Sequence, residues 1–297
     1  MKTILLIGKN GQVGWELQNT LKPLGRVIAL DRAQMDITQP DAIRKTIRGI
    51  SPDIIVNAAG YTTVDKAESE PDLAMQINAA APGIMAEEAQ RMGTLLVHYS
   101  TDYVYDGAKS TPYIETDAPN PLNIYGKSKL AGEQAITATG CAHLILRASW
   151  IYSARGTNFV LTMLQLAQER KELSVVNDQV GSPAWARSLA SSTADILSRI
   201  QNPISVSGIY HLSASGYSTR LDFAEMIIEL AKAFSKPETP WAKINPVTTA
   251  NYPYPLPAAR PLFAATSKSR IKQAFGVEMN SWQEQIHLFM QSLSGMR

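Results

Sequence analysis

The residues Ile4-Leu5-Leu6-Ile7-Gly8-Lys9-Asn10-Gly11-Gln12-Val13-Gly14 decide the fold. Their apolar half predicts a buried strand, and their glycine-rich half predicts a loop that opens a helix. Glycines at this junction allow a tight turn and a close approach of the backbone to a pyrophosphate, which the helix N-terminus attracts. The spacing GxxGxxG is one residue looser than the simplest dinucleotide-binding pattern, but its place in a strand–loop–helix unit favours that function. The expected cofactor contacts in this loop are Gly8, Gly11, Gln12, Val13 and Gly14.

Further short apolar runs alternate with helical patterns along the first half of the chain. The predicted strands are Ile4–Ile7, Val27–Leu30, Ile54–Val56, Leu95–Tyr99 and Leu144–Leu146. They are apolar throughout, as expected of strands that are buried on both faces of a parallel sheet. One predicted connection is a long helix that opens at Ser69-Glu70-Pro71-Asp72 and ends at Gly93. This alternation predicts an α/β fold with a doubly wound parallel sheet of the Rossmann type over residues 1–150.

The second half predicts a smaller, mixed α/β lobe over residues 151–297 that binds the substrate. The predicted elements are helices Asn158–Arg170, Trp185–Ile200 and Thr219–Phe234 and a weak strand Ile209–Leu212. We expect the two parts to be interleaved, with a returning strand of the main sheet near residues 173–176 and helix 185–200 beside that sheet. The proline-rich residues 236–262 are expected to be mostly irregular, and a loop of that length is more often a binding element than a spacer.

Composition and charge exclude several classes of protein. The 297 residues include 28 basic and 26 acidic side chains, and no basic run indicates nucleic-acid binding. No apolar stretch approaches the ~20 residues that a membrane-spanning helix needs, and the apolar start lacks a signal-peptide cleavage pattern. The single cysteine, Cys141, and four scattered histidines form neither an intrachain disulfide nor a metal-site spacing. We therefore expect a cytoplasmic protein that binds no metal, nucleic acid or membrane.

Charged residues follow the second predicted strand, where a dinucleotide would place its adenosine ribose. A carboxylate at Asp31 suits both ribose hydroxyls and favours NADH, whereas the adjacent Arg32 suits a 2′-phosphate and favours NADPH. Both cofactors therefore remain open, and so does a solvated surface pair. Asp36 and Ile37 lie where an adenine ring would be bracketed, although Asp36 also suits turn chemistry.

Small side chains follow the third predicted strand, in the stretch Asn57-Ala58-Ala59-Gly60. Such residues let a flat cofactor approach the backbone, although they also permit tight packing of a helix on the sheet. The expected cofactor contacts in this region are Ala58, Ala59, Gly60 and Tyr61.

The stretch Tyr125-Gly126-Lys127-Ser128-Lys129 is the strongest candidate for chemistry. On a helix, Tyr125 and Lys129 share one face, and a nearby ammonium lowers the pKa of a phenol. The hydroxyls of Ser100 and Thr101 follow the fourth predicted strand and suit a substrate carbonyl, or else capping of the strand end. The residues alone therefore support only that Tyr125, Lys129 and Thr101 converge on one crevice.

Together these motifs resemble the extended short-chain dehydrogenase/reductase superfamily, and within it the branch of the dTDP-4-dehydrorhamnose reductases. The resemblance covers most of the chain. The matching motifs are Gly8-x-x-Gly11-x-Val13-Gly14-Trp15-Glu16-Leu17, Asn57-Ala58-Ala59-Gly60-Tyr61-Thr62-x-Val64-Asp65-Lys66-Ala67-Glu68, Ser100-Thr101-Asp102-Tyr103-Val104, Pro121-Leu122-Asn123-x-Tyr125-Gly126-Lys127-Ser128-Lys129, Arg147-Ala148-Ser149-Trp150, Asn177-Asp178-Gln179-x-Gly181-x-Pro183 and Ala259-Arg260-Pro261.

The resemblance implies reduction of the C4 keto group of the nucleotide sugar dTDP-4-dehydro-L-rhamnose by NADPH or NADH. Tyr125 is then the proton donor, Lys129 binds the nicotinamide ribose and tunes Tyr125, and Thr101 donates a hydrogen bond to the carbonyl. Arg260 would meet the diphosphate or the nucleotide. The implied substrate contacts are Thr101, Asp102, Tyr103, Trp150 and Arg260.

The chain departs from the family pattern in places, and alternatives remain. Ala184 follows Pro183 where the family often has threonine, and Leu262-Phe263-Ala264 replaces a more polar segment. Some relatives are metal-bridged dimers that use an acid besides Glu16, but this chain has Arg187 and no acid in that region. A homodimer is therefore possible, and no metal bridge is expected.

The residues also bear on alternative activities within the superfamily. A dehydratase would need a glutamate after Thr101-Asp102. Another reductase or epimerase of the superfamily, or a non-catalytic NAD(P)-binding regulatory subunit, remains an alternative.

Overall fold

The computed structural model describes residues 1–236 and 238–294 of the chain. The strands are β1 Lys2–Ile7, β2 Gly25–Leu30, β3 Ile54–Asn57, β4 Leu95–Thr101, β5 His143–Ala148, β6 Ile151–Tyr152, β7 Glu172–Val176, β8 Val180–Gly181, β9 Ala184–Trp185, β10 Gly208–His211, β11 Ser218–Thr219 and β12 Lys243–Val247. The helices are α1 Gln12–Thr20, α2 Pro40–Ile50, α3 Val64–Ala67, α4 Pro71–Met75, α5 Ala81–Met92, α6 Ile124–Ala138, α7 Phe159–Glu169, α8 Ala186–Arg199, α9 Arg220–Ala233, α10 Ser269–Phe275 and α11 Trp282–Ser294.

A six-stranded parallel sheet forms the centre of the molecule, in the order β10-β5-β4-β3-β1-β2. Its strand order reverses between β1 and β3, and ligands of doubly wound sheets bind at such a switch point, beyond the carboxyl ends of the strands. The predicted α/β class and parallel sheet are therefore confirmed.

The two faces of this sheet bury alternate side chains of the same strand. On β1, Leu6 packs in one apolar cluster with α1 and α8, whereas Leu5 packs in another with α2, α5 and α6. This period of two follows from the geometry of an extended chain. Burial on both faces explains why the strands are apolar throughout.

The sixth strand of the sheet corrects one prediction. The returning strand predicted near residues 173–176 exists as β7, but it pairs with β12 in a separate two-stranded sheet. The main sheet is instead completed by β10, which pairs with β5. A short apolar run predicts that a strand forms, but the run does not encode its partner. The predicted helix 185–200 corresponds to α8, which packs on α1 beside the sheet.

The second lobe has its own apolar core. Tyr152, Phe223 and Phe289 lie at its centre, between α7, α9 and α11. The predicted helices Asn158–Arg170 and Thr219–Phe234 are confirmed as α7 and α9, and their caps are Asn158 and Thr219. The division of the chain near residue 150 remains a proposal.

The described residues of the proline-rich segment 236–262 are mostly irregular, as predicted. The segment contains β12, in which Pro246 lies opposite Val175 of β7. A two-stranded sheet has only edge strands, and a proline is tolerated where the missing N–H is not needed. Pro237 lies outside the described residues.

In the part of the chain that the structure describes, no helix is long and apolar enough to cross a membrane.

Candidate active site

The glycine-rich loop between β1 and α1 packs directly on the residues that follow β3. Gly8 has a φ of +89°, and a Cβ on it would lie 2.7 Å from the backbone nitrogen of Ala59. A Cβ on Gly14 would lie 2.1 Å from the carbonyl oxygen of Gly8. Only glycine meets both requirements, and the first turn of α1 consequently faces the crevice with no side chain capping it.

A cleft of about 920 Å³ extends from this loop to the start of α6. The predicted cofactor residues that line it are Gly8, Gly11, Gln12, Val13, Asp31, Arg32, Asp36, Ile37, Ala58, Ala59, Gly60, Tyr125 and Lys129. Gly14 lies behind the loop, where it packs on Gly8, and Tyr61 is not part of the lining. Residues that the sequence motifs did not indicate also line the cleft, among them Met35, Ile151, Gly156 and Thr157. Such a volume is typical of a site for a large organic ligand.

Asp31 lines this cleft just after β2 and is held by local contacts. Its carboxylate lies 3.2 Å from the ammonium of Lys9 and accepts the backbone N–H groups of Ala33 and Gln34. The contact with Lys9 lowers the pKa of Asp31 most. The side chain of Arg32 is 79% exposed and lies 3.4 Å from Asp36. The structure therefore brings one carboxylate and two cationic side chains together at this end of the cleft.

A π-helical turn, Gln76–Ala80, lies between α4 and α5 and positions a buried asparagine. The side chain of Asn78 bonds both the N–H and the carbonyl of Tyr61 and donates to Ser128 on α6. Asn78 therefore ties the loop of Gly60 and Tyr61 to the helix that carries Tyr125. Sequence reasoning missed Asn78, because the spacing within the long predicted helix did not indicate an extra residue in one turn.

Tyr125 lies in the first turn of α6, which begins where Asn123 accepts the N–H of Gly126 at 2.8 Å. A Cβ on Gly126 would lie 2.2 Å from the carbonyl oxygen of Tyr103, so this glycine lets α6 pack against the loop after β4. The rings of Tyr125 and Tyr103 meet edge to face at 5.9 Å. Burial raises the pKa of Tyr125, although its hydrogen bond with Thr101 acts in the opposite direction.

The raised pKa of Tyr125 corrects the expectation that Lys129 lowers it. Lys129 lines the same cleft, but its ammonium donates to the carbonyl of Tyr99 at 2.5 Å and lies 3.2 Å from His98. Burial lowers the pKa of Lys129 to about 8. A protonated phenol is nevertheless the form that a proton donor requires.

Thr101 and Asp102 form a buried polar pair beside Tyr125. The hydroxyl of Thr101 donates to Asp102 at 3.1 Å and accepts the N–H of Tyr103, so it also caps the turn after β4. Asp102 accepts a second bond from Ser149 at 2.6 Å. Burial raises the pKa of Asp102 to about 6, and Arg220 is among the groups that oppose this shift.

Trp150 has an unusual backbone conformation next to this pair. Its φ is +41°, a strained value for a bulky side chain, and such strain is often found at functional sites. A Cβ on Gly181 would lie 2.4 Å from the indole ring, and the guanidinium of Arg220 lies over the ring. Arg220, which sequence reasoning missed, is also close to Tyr103 and Asp102.

Arg260 approaches the site from the proline-rich segment. Its two terminal nitrogens each lie 2.6 Å from an oxygen of Asp65, and its charge also acts on Tyr103. A bidentate pair of this kind fixes the direction of a guanidinium. Most of the predicted substrate contacts (Thr101, Asp102, Tyr103, Trp150) therefore come together with Arg220, and Arg260 joins them through Tyr103.

Glu16, which some relatives use in a metal bridge, forms an ion pair in this chain. Arg187 lies 3.3 Å from Glu16 on α1. Across residues 1–236 and 238–294, no group of three or more histidine, cysteine, aspartate or glutamate side chains could hold a metal ion.

Comparison with known proteins agrees with this geometry. The family model of the RmlD substrate binding domain matches residues 1–294. The chain belongs to this family. It is 47% identical to a dTDP-4-dehydrorhamnose reductase of Escherichia coli (strain K12), with 94% of each chain covered. It is 43% identical to the protein of that name from Burkholderia thailandensis, with 98% of each covered. The resemblance inferred from the motifs is confirmed.

Two solved structures have the same architecture. A dTDP-4-dehydrorhamnose reductase from Bacillus anthracis in complex with NADP has a TM-score of 0.89 and 35% identity, covering 98% of this chain and 99% of that one. A UDP-glucose 4-epimerase from Thermus thermophilus has a TM-score of 0.81 at 17% identity, covering 99% and 100%. The second likeness concerns the fold alone.

Proposed function

We propose that this member of the family reduces the C4 keto group of dTDP-4-dehydro-L-rhamnose to give dTDP-L-rhamnose, with NADPH or NADH as the hydride donor. The observation that carries the proposal is the position of Tyr125. It lines the same cleft as the glycine-rich loop, and its hydroxyl bonds Thr101, whose neighbours Asp102 and Tyr103 lie close to Arg220. A proton donor and a dinucleotide site therefore border one space.

The residues divide the chemistry between them. The reduced nicotinamide supplies the hydride when it is bound. Thr101 turns its one hydroxyl proton from Asp102 to the substrate carbonyl when the sugar binds, and Tyr125 donates its proton to the alkoxide that develops. Burial keeps the phenol of Tyr125 protonated before transfer. Lys129, from the same face of α6, binds the nicotinamide ribose.

Residues of both lobes contribute to the proposed site for the nucleotide sugar. We propose that Tyr103 and Trp150 flank the sugar, and that Arg260 and Arg220 attract the diphosphate. Guanidinium groups suit phosphate oxygens because they donate in a planar fork. The proximity of both arginines to Tyr103 supports this assignment.

Two alternatives differ in measurable outcome. An epimerase or dehydratase of the same superfamily would yield a different product without net consumption of the reduced cofactor. A regulatory subunit would bind the cofactor and turn nothing over. The buried Thr101–Asp102 pair and the Tyr125–Lys129 pair favour a catalyst over a scaffold.

The decisive experiment follows the loss of reduced-nicotinamide absorbance with dTDP-4-dehydro-L-rhamnose, using NADH and NADPH in parallel. We expect turnover with at least one cofactor. We expect Tyr125→Phe to retain cofactor affinity and lose turnover by a factor on the order of 10²–10⁴. The control is Tyr254→Phe, on an exposed ring of the proline-rich segment. Wild-type turnover in Tyr125→Phe, or none in the unaltered protein, would overturn the proposal. A homodimer and a cytoplasmic location remain predictions.

A further inference from the structure

A buried histidine lies directly behind Lys129. His98 belongs to β4 and is 1% exposed. Its Nε2 lies 3.2 Å from Nζ of Lys129, and its Nδ1 lies 3.0 Å from Nδ2 of Asn57 at the end of β3. The mechanism above uses neither His98 nor Asn57, although both are buried at the active site.

The orientation of Asn57 determines which nitrogen of His98 carries the proton. The Oδ1 atom of Asn57 accepts the backbone N–H of Ala59 at 3.1 Å, so its NH₂ group must face His98. An amide NH₂ only donates, and Nδ1 of His98 must therefore be an acceptor. Burial, and next to it the charge of Lys129, lowers the pKa of His98 well below its ordinary value, so the ring is neutral. A neutral ring whose Nδ1 accepts a hydrogen bond carries its proton on Nε2.

This tautomer directs a donor at Lys129. The Nε2–H group of His98 faces Nζ at 3.2 Å, and it forms a hydrogen bond only with the lone pair of an uncharged amine. If Nζ were an ammonium, it would have no lone pair to accept the Nε2–H group, and two donors would face each other. The contact therefore favours the deprotonated form of Lys129, in the same direction as burial.

We propose that Asn57 and His98 form a buried relay of hydrogen bonds that weakens the hold of Lys129 on its proton. Both are positioning residues, because they act on the cofactor and on Tyr125 only through Lys129. The relay keeps Lys129 able to change its protonation state near neutral pH while it stays fixed in the cleft. Its effect on turnover rests on the proposed function, whereas the tautomer of His98 does not.

Other charged and titratable groups near Lys129 do not account for this effect. Glu133, one turn further along α6, raises the pKa of Lys129 and so opposes the relay. Glu133 is itself paired with Arg147 of β5 at 2.5 Å. The neighbouring contact from β4 is the neutral carbonyl of Tyr99, and Tyr125 stays uncharged because its pKa is raised.

The first test is the tautomer itself, measured on the intact chain by two-bond ¹⁵N–¹H correlations of ¹⁵N-labelled histidine. His98 is assigned by comparison with His98→Gln, against the signals of His143, His211 and His287. We expect a neutral ring with its proton on Nε2. A proton on Nδ1, or a charged ring at neutral pH, would overturn the proposal whether or not the protein is a reductase.

The second test reverses the relay with Asn57→Asp. A carboxylate accepts from both Ala59 N–H and Nδ1–H, so the ring proton should move to Nδ1 and Nε2 should accept from the ammonium. We expect the alkaline limb of the pH profile of kcat to move up by about one unit. The same substitution in a His98→Phe background controls for the added charge, and there the shift should largely disappear. An equal shift in both backgrounds, or a ring proton that stays on Nε2, would contradict the relay.

Discussion

The guanidinium of Arg220 lies 3.6 Å from the centre of the Trp150 ring, and it is also stacked 4.8 Å from the ring of Phe159. Arg220 is the first residue of α9, a helix of the second lobe that Thr219 caps. The start of this helix therefore places a guanidinium at the active site. Its charge acts on Asp102 and Tyr103. Arg220 thus joins the second lobe to the loop after β4.

We expect Arg220→Met to raise the KM for the nucleotide sugar about tenfold, because a lost charge contact is worth roughly 1.4 kcal/mol. Methionine preserves the apolar contact with Trp150 but removes the charge. Steady-state kinetics at fixed cofactor concentration measure the effect, and the KM for the cofactor should not change. The matched control is Arg270→Met, which removes a similar stack on Tyr210 at 5.0 Å. Equal changes in the two variants would remove Arg220 from the substrate site.

We expect Asp31→Ala to weaken the binding of NADH more than that of NADPH. The carboxylate favours a ribose hydroxyl and repels a 2′-phosphate, and its removal leaves Lys9, which lies 3.2 Å away, without its counter-charge. Titration of both reduced cofactors by fluorescence gives the ratio of their dissociation constants. Asp195→Ala, on the exposed Asp195–Arg199 pair, is the control. If both cofactors weaken equally, Asp31 does not discriminate between them.

We expect Glu133→Gln to lower the free energy of unfolding by about 3–5 kcal/mol, because it leaves a buried guanidinium without its counter-charge. Glu133 and Arg147 are almost fully buried and are joined by two hydrogen bonds of 2.5 and 2.9 Å. Urea denaturation measures the change. Glu87→Gln breaks the exposed pair with Arg44 and should cost less than about 1 kcal/mol. A small loss in both variants would show that burial does not matter here.

We expect Glu88 to stabilise the fold in a pH-dependent way. Hydrogen bonds from Arg48, and next those from Arg91, lower the pKa of Glu88 from its ordinary value of 4.5 to about 2. A lowered pKa means that the stabilisation is complete above about pH 4.5 and is lost as the pH falls towards 2. Urea denaturation at several pH values should therefore show Glu88→Gln losing stability at pH 7 but less at low pH. Glu225→Gln, at an exposed site on α9, should differ little from the wild type throughout.

The sequence by itself determined the features that depend on neighbours along the chain. These features are the glycine spacing of residues 8–14, the apolar strands and the position of Tyr125 and Lys129 one turn apart on a helix. Each follows from local conformational rules, such as the collision that a Cβ on Gly14 would make with Gly8. Local periodicity is sufficient for such features because the interacting groups lie within a few residues of one another.

Only the tertiary structure decided the contacts between residues that are distant in the chain. The strand at residues 172–176 joined β12 and not the main sheet. Arg220 reached Trp150, and His98 came to lie between Asn57 and Lys129. The protonation of these buried groups depends on desolvation and on partners from other strands, and no local pattern records either of them. The elements of this protein were therefore readable from the sequence, whereas the electrostatics of its site arise from how those elements pack.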